Sequence, residues 1–230
     1  MRGLVSYHEE TVSFGGKMKK RVVCFGDSNT WGYDPADGSR YDENTRWPMV
    51  LQRLRTEDVQ VIEEGQNGRT IACEDPWEWG TKKGIDYVIP MIESHMPMDV
   101  LIIMLGSNDL KKKFGLPAPD IAGSLQNMLL KIRAHFKYHL NLPDDAVRII
   151  VVAPPHLGEG IGDSYFGEFF DGKNAVENSK KLAHWYKLVA DQFECDFFDA
   201  ADVAYAGDVD SLHMTPEGHK ALGEALAGLI

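Results

Sequence analysis

Three residues of the sequence have the types and the chain order needed for nucleophilic catalysis. Ser28 lies in a Gly-Asp-Ser-Asn-Thr segment that follows an apolar run, and Asp210 and His213 lie three residues apart before a C-terminal helical pattern. A histidine that is oriented by a carboxylate can remove the proton of a serine hydroxyl and make its oxygen a nucleophile. The order Ser, Asp, His is one of those found in such triads.

Two further segments could supply hydrogen-bond donors to an oxyanion. Gly68 offers a backbone amide in Gly-Gln-Asn-Gly-Arg-Thr, and Asn108 offers a side-chain amide in Gly-Ser-Asn-Asp. Each segment also has an ordinary interpretation, as turn residues around Ser28, an Asn-Gly turn at Gly68 and a helix cap at Asn108. Asp-x-x-His is frequent by chance, and His219 lies nearby without an evident role.

The spacing of apolar residues predicts five strands that alternate with helices. The strands are predicted at 21–26, 59–64, 100–105, 148–153 and 196–199, and the helices at 47–56, 85–95, 121–140, 174–193 and 215–230. Continuous apolar runs such as 100–105 are typical of parallel strands buried on both faces. The alternation predicts one α/β domain of three layers, α/β/α, with a parallel sheet and right-handed crossovers.

The candidate residues are placed where such a fold would bring them together. In open parallel sheets, ligands bind beyond the carboxyl ends of the strands. Ser28, Gly68 and Asn108 each follow a predicted strand, and His213 precedes the last predicted helix. Each segment alone is ambiguous, but their joint placement in a working order favours a catalytic site.

The composition is that of an ordinary globular domain and disfavours a nucleic-acid partner. Of the 230 residues, 43% are hydrophobic, and 24 Lys and Arg against 35 Asp and Glu give a formal net charge of −11. Such a charge repels a polyanion, and the basic runs are short and scattered. Cys24, Cys73 and Cys195 form no zinc-binding pattern, so we expect reduced thiols in a cytoplasmic chain.

The sequence predicts a single domain preceded by an extension. No apolar run approaches the roughly 20 residues of a membrane span. The first 17 residues are polar and lack the apolar stretch of a signal peptide. We expect residues 1–17 to be a flexible or vector-derived extension and residues 18–230 to form the domain.

Together the four segments resemble the blocks that define the SGNH hydrolases, also called the GDSL esterase/lipase family. The resemblance extends from residue 21 to the C-terminal helix and rests on Gly26-Asp27-Ser28, Gly68, Asn108 and Asp210-x-x-His213. It implies a flavodoxin-like five-stranded parallel sheet in the order 2-1-3-4-5. It also implies catalysis without a metal or another cofactor.

The resemblance assigns a role to each of five residues. It implies that Ser28 is the nucleophile, that His213 is the general base and then the general acid, and that Asp210 orients His213. The oxyanion hole would consist of the amides of Ser28 and Gly68 and the side chain of Asn108.

Within the family, residues 26–32, 64–70 and 97–109 are most similar to the small arylesterase/acyltransferase branch. This implies a homo-oligomeric serine esterase that hydrolyses, or transfers, short acyl groups of small aryl or alkyl esters. A carbohydrate acetylesterase or a lysophospholipase or thioesterase of the same family is the alternative. A more distant alternative is a non-catalytic flavodoxin-like ligand-binding domain. Asn29 stands where the name-giving motif has Leu. This departure leaves the identity of the substrate undecided but does not change the expected reaction.

The walls of a substrate pocket are predicted less directly. Four side chains near the expected crevice are candidates: Asp27, Trp31, Phe114 and His156. For the aromatic ones, burial against the fold is an equal alternative. The Trp-rich segment 75–80 is predicted to be a loop that acts as a lid, as a subunit contact or in internal packing.

Overall fold

The computed structural model describes residues 19–230. The predicted extension, residues 1–17, therefore lies outside the described residues. In the described range, no helix combines the length and the apolar character needed to cross a membrane.

The five predicted strands form one parallel sheet. They are β1 (Lys20–Gly26), β2 (Val59–Gly65), β3 (Val100–Met104), β4 (Arg148–Ala153) and β5 (Asp196–Asp199). The sheet has the order β2-β1-β3-β4-β5, and all four neighbouring pairs are parallel. This confirms the flavodoxin-like order, in which the first strand lies inside the sheet.

The α-helices agree with the predicted helices to within a few residues, with one addition. They are α1 (Ser28–Trp31), α2 (Trp47–Leu54), α3 (Gly84–His95), α4 (Ala118–Tyr138), α5 (Gly172–Gln192) and α6 (Pro216–Leu229). The short helix α1 was not predicted, because a single turn is too short to show helical periodicity. Thr215 caps α6 as predicted, since its side-chain oxygen accepts from the Gly218 amide at 3.1 Å.

Alternate residues of β1 belong to two separate hydrophobic cores, one on each face of the sheet. Val23 and Phe25 pack with residues of α3, α4 and α5, whereas Val22 and Cys24 pack with residues of α2 and α6. Side chains alternate between the faces of a strand, so a strand covered on both faces must be apolar throughout. The domain thus has the predicted three layers.

Candidate active site

Ser28, His213 and Asp210 form a continuous hydrogen-bonded relay. His213 Nε2 lies 2.8 Å from Ser28 Oγ, and His213 Nδ1 lies 2.6 Å from Asp210 Oδ2. All three side chains are largely buried. The fold thus joins residues 185 positions apart into the geometry that activates a serine hydroxyl.

The turn that carries Asp210 and His213 is stabilised by the Asp210 carboxylate itself. Its Oδ1 accepts from the amides of Leu212 and His213 at 3.0 and 2.9 Å, while its Oδ2 bonds the His213 ring. Ser211 in this turn has a φ of 59°, a conformation that few residues other than glycine adopt. Burial would raise the pKa of Asp210, but its hydrogen bonds with His213, that residue's charge and the backbone donors outweigh burial and lower it.

Asn29 links helix α1, which carries Ser28, to the turn that carries His213. Its Oδ1 accepts from the Met214 amide at 2.9 Å, and its Nδ2 donates to the Leu212 carbonyl at 3.4 Å. These groups flank His213 on both sides, and Asn29 is buried. The residue that departs from the name-giving motif therefore helps to position the histidine, a role that the sequence did not indicate.

Ser28 is placed at the edge of the sheet by the sharp exit from β1. Gly26 ends the strand, and a Cβ there would lie 2.0 Å from Thr30 Oγ1 and 2.8 Å from the Met104 carbonyl oxygen. Asp27 then caps α1 by accepting from the Asn29 amide at 3.0 Å. Only glycine lets α1 begin so close to the sheet, and the short helix presents Ser28 to His213.

Three groups able to donate hydrogen bonds lie around Ser28. The residues Ser28, Gly68 and Asn108 line the same cavity. Gly68 has a φ of 78°, which favours glycine. Within residues 19–230, the backbone amides of Ser28 and Gly68 donate to no protein acceptor. Asn108 Nδ2 uses one hydrogen on the Arg69 carbonyl at 3.1 Å and has a second to offer.

Buried polar contacts hold the loops after β1, β2 and β3 together. Arg69 donates to the Gly26 carbonyl at 2.7 Å and stacks over the Phe25 ring, 4.3 Å from its centroid. Asp109 accepts from the Ile71 amide with both oxygens, at 3.1 and 3.0 Å. These contacts fix the positions of Gly68 and Asn108 relative to Ser28, as a preorganised site requires.

The cavity at Ser28 has a volume of about 290 Å³ and a largely aromatic wall. Its aromatic lining residues are Tyr33, Tyr165, Phe166, Phe169 and Phe170. Two of them also hold the His213 ring, at centroid distances of 4.3 Å for Tyr33 and 5.7 Å for Phe166. Sequence reasoning missed this wall, although four aromatic residues within 165–170 were a signal for it.

The four candidate wall residues do not line the cavity in the described part of the chain. Asp27 is buried beneath Ser28 as the cap of α1, and Trp31 packs against Tyr33 and under the Arg40 guanidinium. Phe114 lies against the Lys113 ammonium. His156 is also absent from the lining residues, although it follows β4 at the same end of the sheet.

The Trp-rich segment forms the predicted loop, and its indoles are exposed. Trp77 and Trp79 are 86% and 95% exposed, so internal packing is not their role. Glu78 between them lines the cavity, so the loop belongs to the rim of the site.

Replacing Asp27 by asparagine is expected to make stability less sensitive to pH. One carboxylate oxygen of Asp27 is buried without a partner among the described residues, and burial raises its pKa to about 6. Because this exceeds the unfolded value of about 3.9, the native chain binds more protons, and stability falls as the pH rises through about 6. From about pH 4 to about pH 7, the unfolding free energy of Asp27→Asn relative to wild type should rise by about 2 kcal/mol, as measured by urea unfolding. The exposed Asp144→Asn is the control, and an unchanged difference for Asp27→Asn would contradict the prediction.

The chain from residue 24 to residue 221 matches the model of the GDSL-like lipase/acylhydrolase family. The chain belongs to this family. As a family member it is a hydrolase of carboxylic esters, and the sheet order and the relay are those expected for an SGNH hydrolase. Within residues 19–230, no group of three His, Cys, Asp or Glu side chains is arranged to hold a metal ion.

Solved structures of other proteins share the fold and about a third of the sequence of this GDSL-family chain. A carbohydrate acetylesterase family member from Sinorhizobium meliloti is 34% identical over 91% of this chain and 96% of its own, with a TM-score of 0.82. A putative arylesterase from Agrobacterium tumefaciens is 34% identical over 91% and 97%, with a TM-score of 0.81. The aryl esterase of M. smegmatis is 34% identical over 91% and 97%, with a TM-score of 0.82. Comparison with curated protein sequences gave no match.

Proposed function

We propose that this chain is a serine esterase that hydrolyses short acyl esters of small aryl or alkyl alcohols through an acyl-enzyme on Ser28. The observation that carries the proposal is the relay from Asp210 through His213 to Ser28, with distances of 2.6 and 2.8 Å, at the wall of the cavity. A binding module has no need for nucleophile, base and free donors in one place.

In the first half of the reaction, Ser28 is acylated. His213 Nε2 takes the hydroxyl proton while Oγ attacks the ester carbonyl carbon, and the π electrons move to the carbonyl oxygen. The amides of Ser28 and Gly68 and the Asn108 side chain donate to this oxyanion. The oxyanion then collapses, the bond to the alcohol oxygen breaks, and His213 gives its proton to the departing alcohol.

The second half returns the enzyme to its starting state. His213 takes a proton from water, whose oxygen attacks the acyl carbon, and the new oxyanion is bound by the same three donors. Its collapse releases the carboxylic acid while His213 returns the proton to Ser28 Oγ. An alcohol in place of water gives acyl transfer by the same steps, so the site supports both outcomes.

The cavity favours a small acyl group. Its volume of about 290 Å³ is at the lower end of the range for small-molecule sites. The aromatic wall suits an aryl or alkyl group, and arylesterases are among the similar proteins. A homo-oligomer and a cytoplasmic location stay predictions.

Deacetylation of a sugar is the second candidate. The cavity also has polar lining residues, among them Asn67, Glu78 and Lys111. Such side chains can bond the hydroxyl groups of a sugar, and a similar protein is a carbohydrate acetylesterase.

The first test combines covalent labelling of wild type with a substrate series. We expect a fluorophosphonate to modify Ser28, located by mass spectrometry of the peptides. Specificity constants should be highest for p-nitrophenyl acetate and fall along the butyrate and octanoate esters. Faster turnover of acetylated xylose than of p-nitrophenyl acetate would favour the second candidate. Absence of both labelling and ester hydrolysis would refute the proposal.

A further inference from the structure

A charged pair lies among the residues that line the cavity, and the proposed catalytic cycle does not use it. Lys111 Nζ donates to Glu78 Oε1 at 2.9 Å, and both residues line the cavity. Burying charged groups is costly unless they have partners of opposite charge. The other charged groups that surround this pair therefore decide how far that cost is compensated.

The compensation comes from a second carboxylate and a second lysine. Lys111 also donates to Asp75 Oδ2 at 3.1 Å, and Lys113 binds the other oxygen of Asp75. Lys111 is thus shared between two carboxylates, and its side chain is only 6% exposed. Its charge is therefore divided between these two partners, although Lys111 also lines the cavity.

Glu78 is the accessible member of the cluster. Its side chain is 38% exposed, and its Oε2 has no hydrogen-bond donor among the described residues. This oxygen lies 3.0 Å from the position that a Cβ on Gly68 would occupy. A free carboxylate oxygen therefore stands beside one of the proposed oxyanion donors.

We propose that Glu78 is a specificity-determining residue that restricts the site to uncharged esters by repelling substrates with a carboxylate group. The inference rests on the proposed function, because it places the substrate between Ser28 and Gly68. A substrate carboxylate in a cavity of this size would lie within several ångströms of Glu78, close enough for like charges to repel. Lys111 offsets this repulsion only in part, because it is shared with Asp75. Lys111 holds Glu78 at this position.

The test compares Glu78→Gln with wild type on three esters. p-Nitrophenyl acetate is uncharged, p-nitrophenyl hydrogen succinate has a carboxylate on the acyl chain, and 4-acetoxybenzoate has one on the alcohol. We expect kcat/KM for at least one anionic ester, divided by that for p-nitrophenyl acetate, to rise on the order of tenfold in the variant. The ester that gains shows which end of the substrate faces Glu78. Ratios measured on one sample do not depend on the fraction of folded protein.

The control is Glu74→Gln, which removes the same charge from the same loop outside the cavity, where Glu74 pairs with Lys83 at 3.3 Å. It should leave both ratios within about twofold of wild type, since exposed charges are screened. Equal ratios in wild type and Glu78→Gln, or an equal rise in both variants, would overturn the inference. If wild type hydrolysed p-nitrophenyl acetate and Ser28 were labelled, that failure would leave the proposed function intact.

Discussion

Replacing Ser28 by alanine is expected to lower kcat for p-nitrophenyl acetate by about 10⁶. The variant lacks the oxygen that lies 2.8 Å from His213 Nε2, so no acyl-enzyme can form. Residual hydrolysis would come only from binding and from the oxyanion donors acting on water. Initial rates of p-nitrophenol release at saturating substrate measure the effect.

Ser107→Ala is the matched control for this variant. Ser107 is also buried and immediately precedes Asn108, but its hydroxyl makes no hydrogen bond to His213. Its activity should stay near that of wild type. If Ser28→Ala kept a tenth of the wild-type rate, Ser28 would be a turn residue and the acyl-enzyme mechanism would be wrong.

Replacing Asp210 by asparagine is expected to lower kcat by about 10⁴ with little change in KM. Asp210 accepts the Nδ1 proton of His213 at 2.6 Å, which leaves Nε2 free to take the proton of Ser28. An asparagine amide that donates to Nδ1 would leave the proton on Nε2, where it blocks general-base catalysis. Steady-state kinetics over the p-nitrophenyl acetate concentration range separates kcat from KM.

Asp208→Asn is the control for the Asp210 variant. Asp208 is exposed two residues earlier in the same segment, so its replacement removes the same charge without touching His213. An equal decrease of kcat in both variants would mean that removing any negative charge from this segment slows the reaction. That result would contradict an orienting role for Asp210.

The sheet could be predicted because its strands are covered on both faces. A strand such as β3 must then be apolar at every position, and this continuous run is visible in the sequence. Helices α4 and α5 have 21 residues each, long enough for their apolar stripes to show. The four-residue helix α1 has no such stripe, and the distance between Gly26 and Thr30 that permits it depends on the folded chain.

The relay and the cavity wall differed in how far the sequence could predict them. Ser28 and His213 were predicted to meet because parallel strands end at one edge of the sheet. The aromatic wall of 165–170 lies in an irregular segment whose position depends on contacts such as that of the Lys112 amide with the Phe169 carbonyl, 2.8 Å apart. Contacts of this kind leave no periodic pattern in a sequence.

The two bonds of Asn29 have a consequence for exchanging parts between related enzymes. The turn that carries His213 relies on an acceptor for the Met214 amide and a donor for the Leu212 carbonyl, and one side chain near the other end of the chain provides both. Consider a chimera that keeps helix α1 of this chain and takes the turn from a relative with leucine at position 29. Its Asn29 would then meet a turn whose backbone groups are bonded differently in the relative. A buried amide or carbonyl without its partner costs more than the bond itself contributes. Residue 29 and the turn at 210–214 should therefore be exchanged together, although they lie at opposite ends of the domain's sequence.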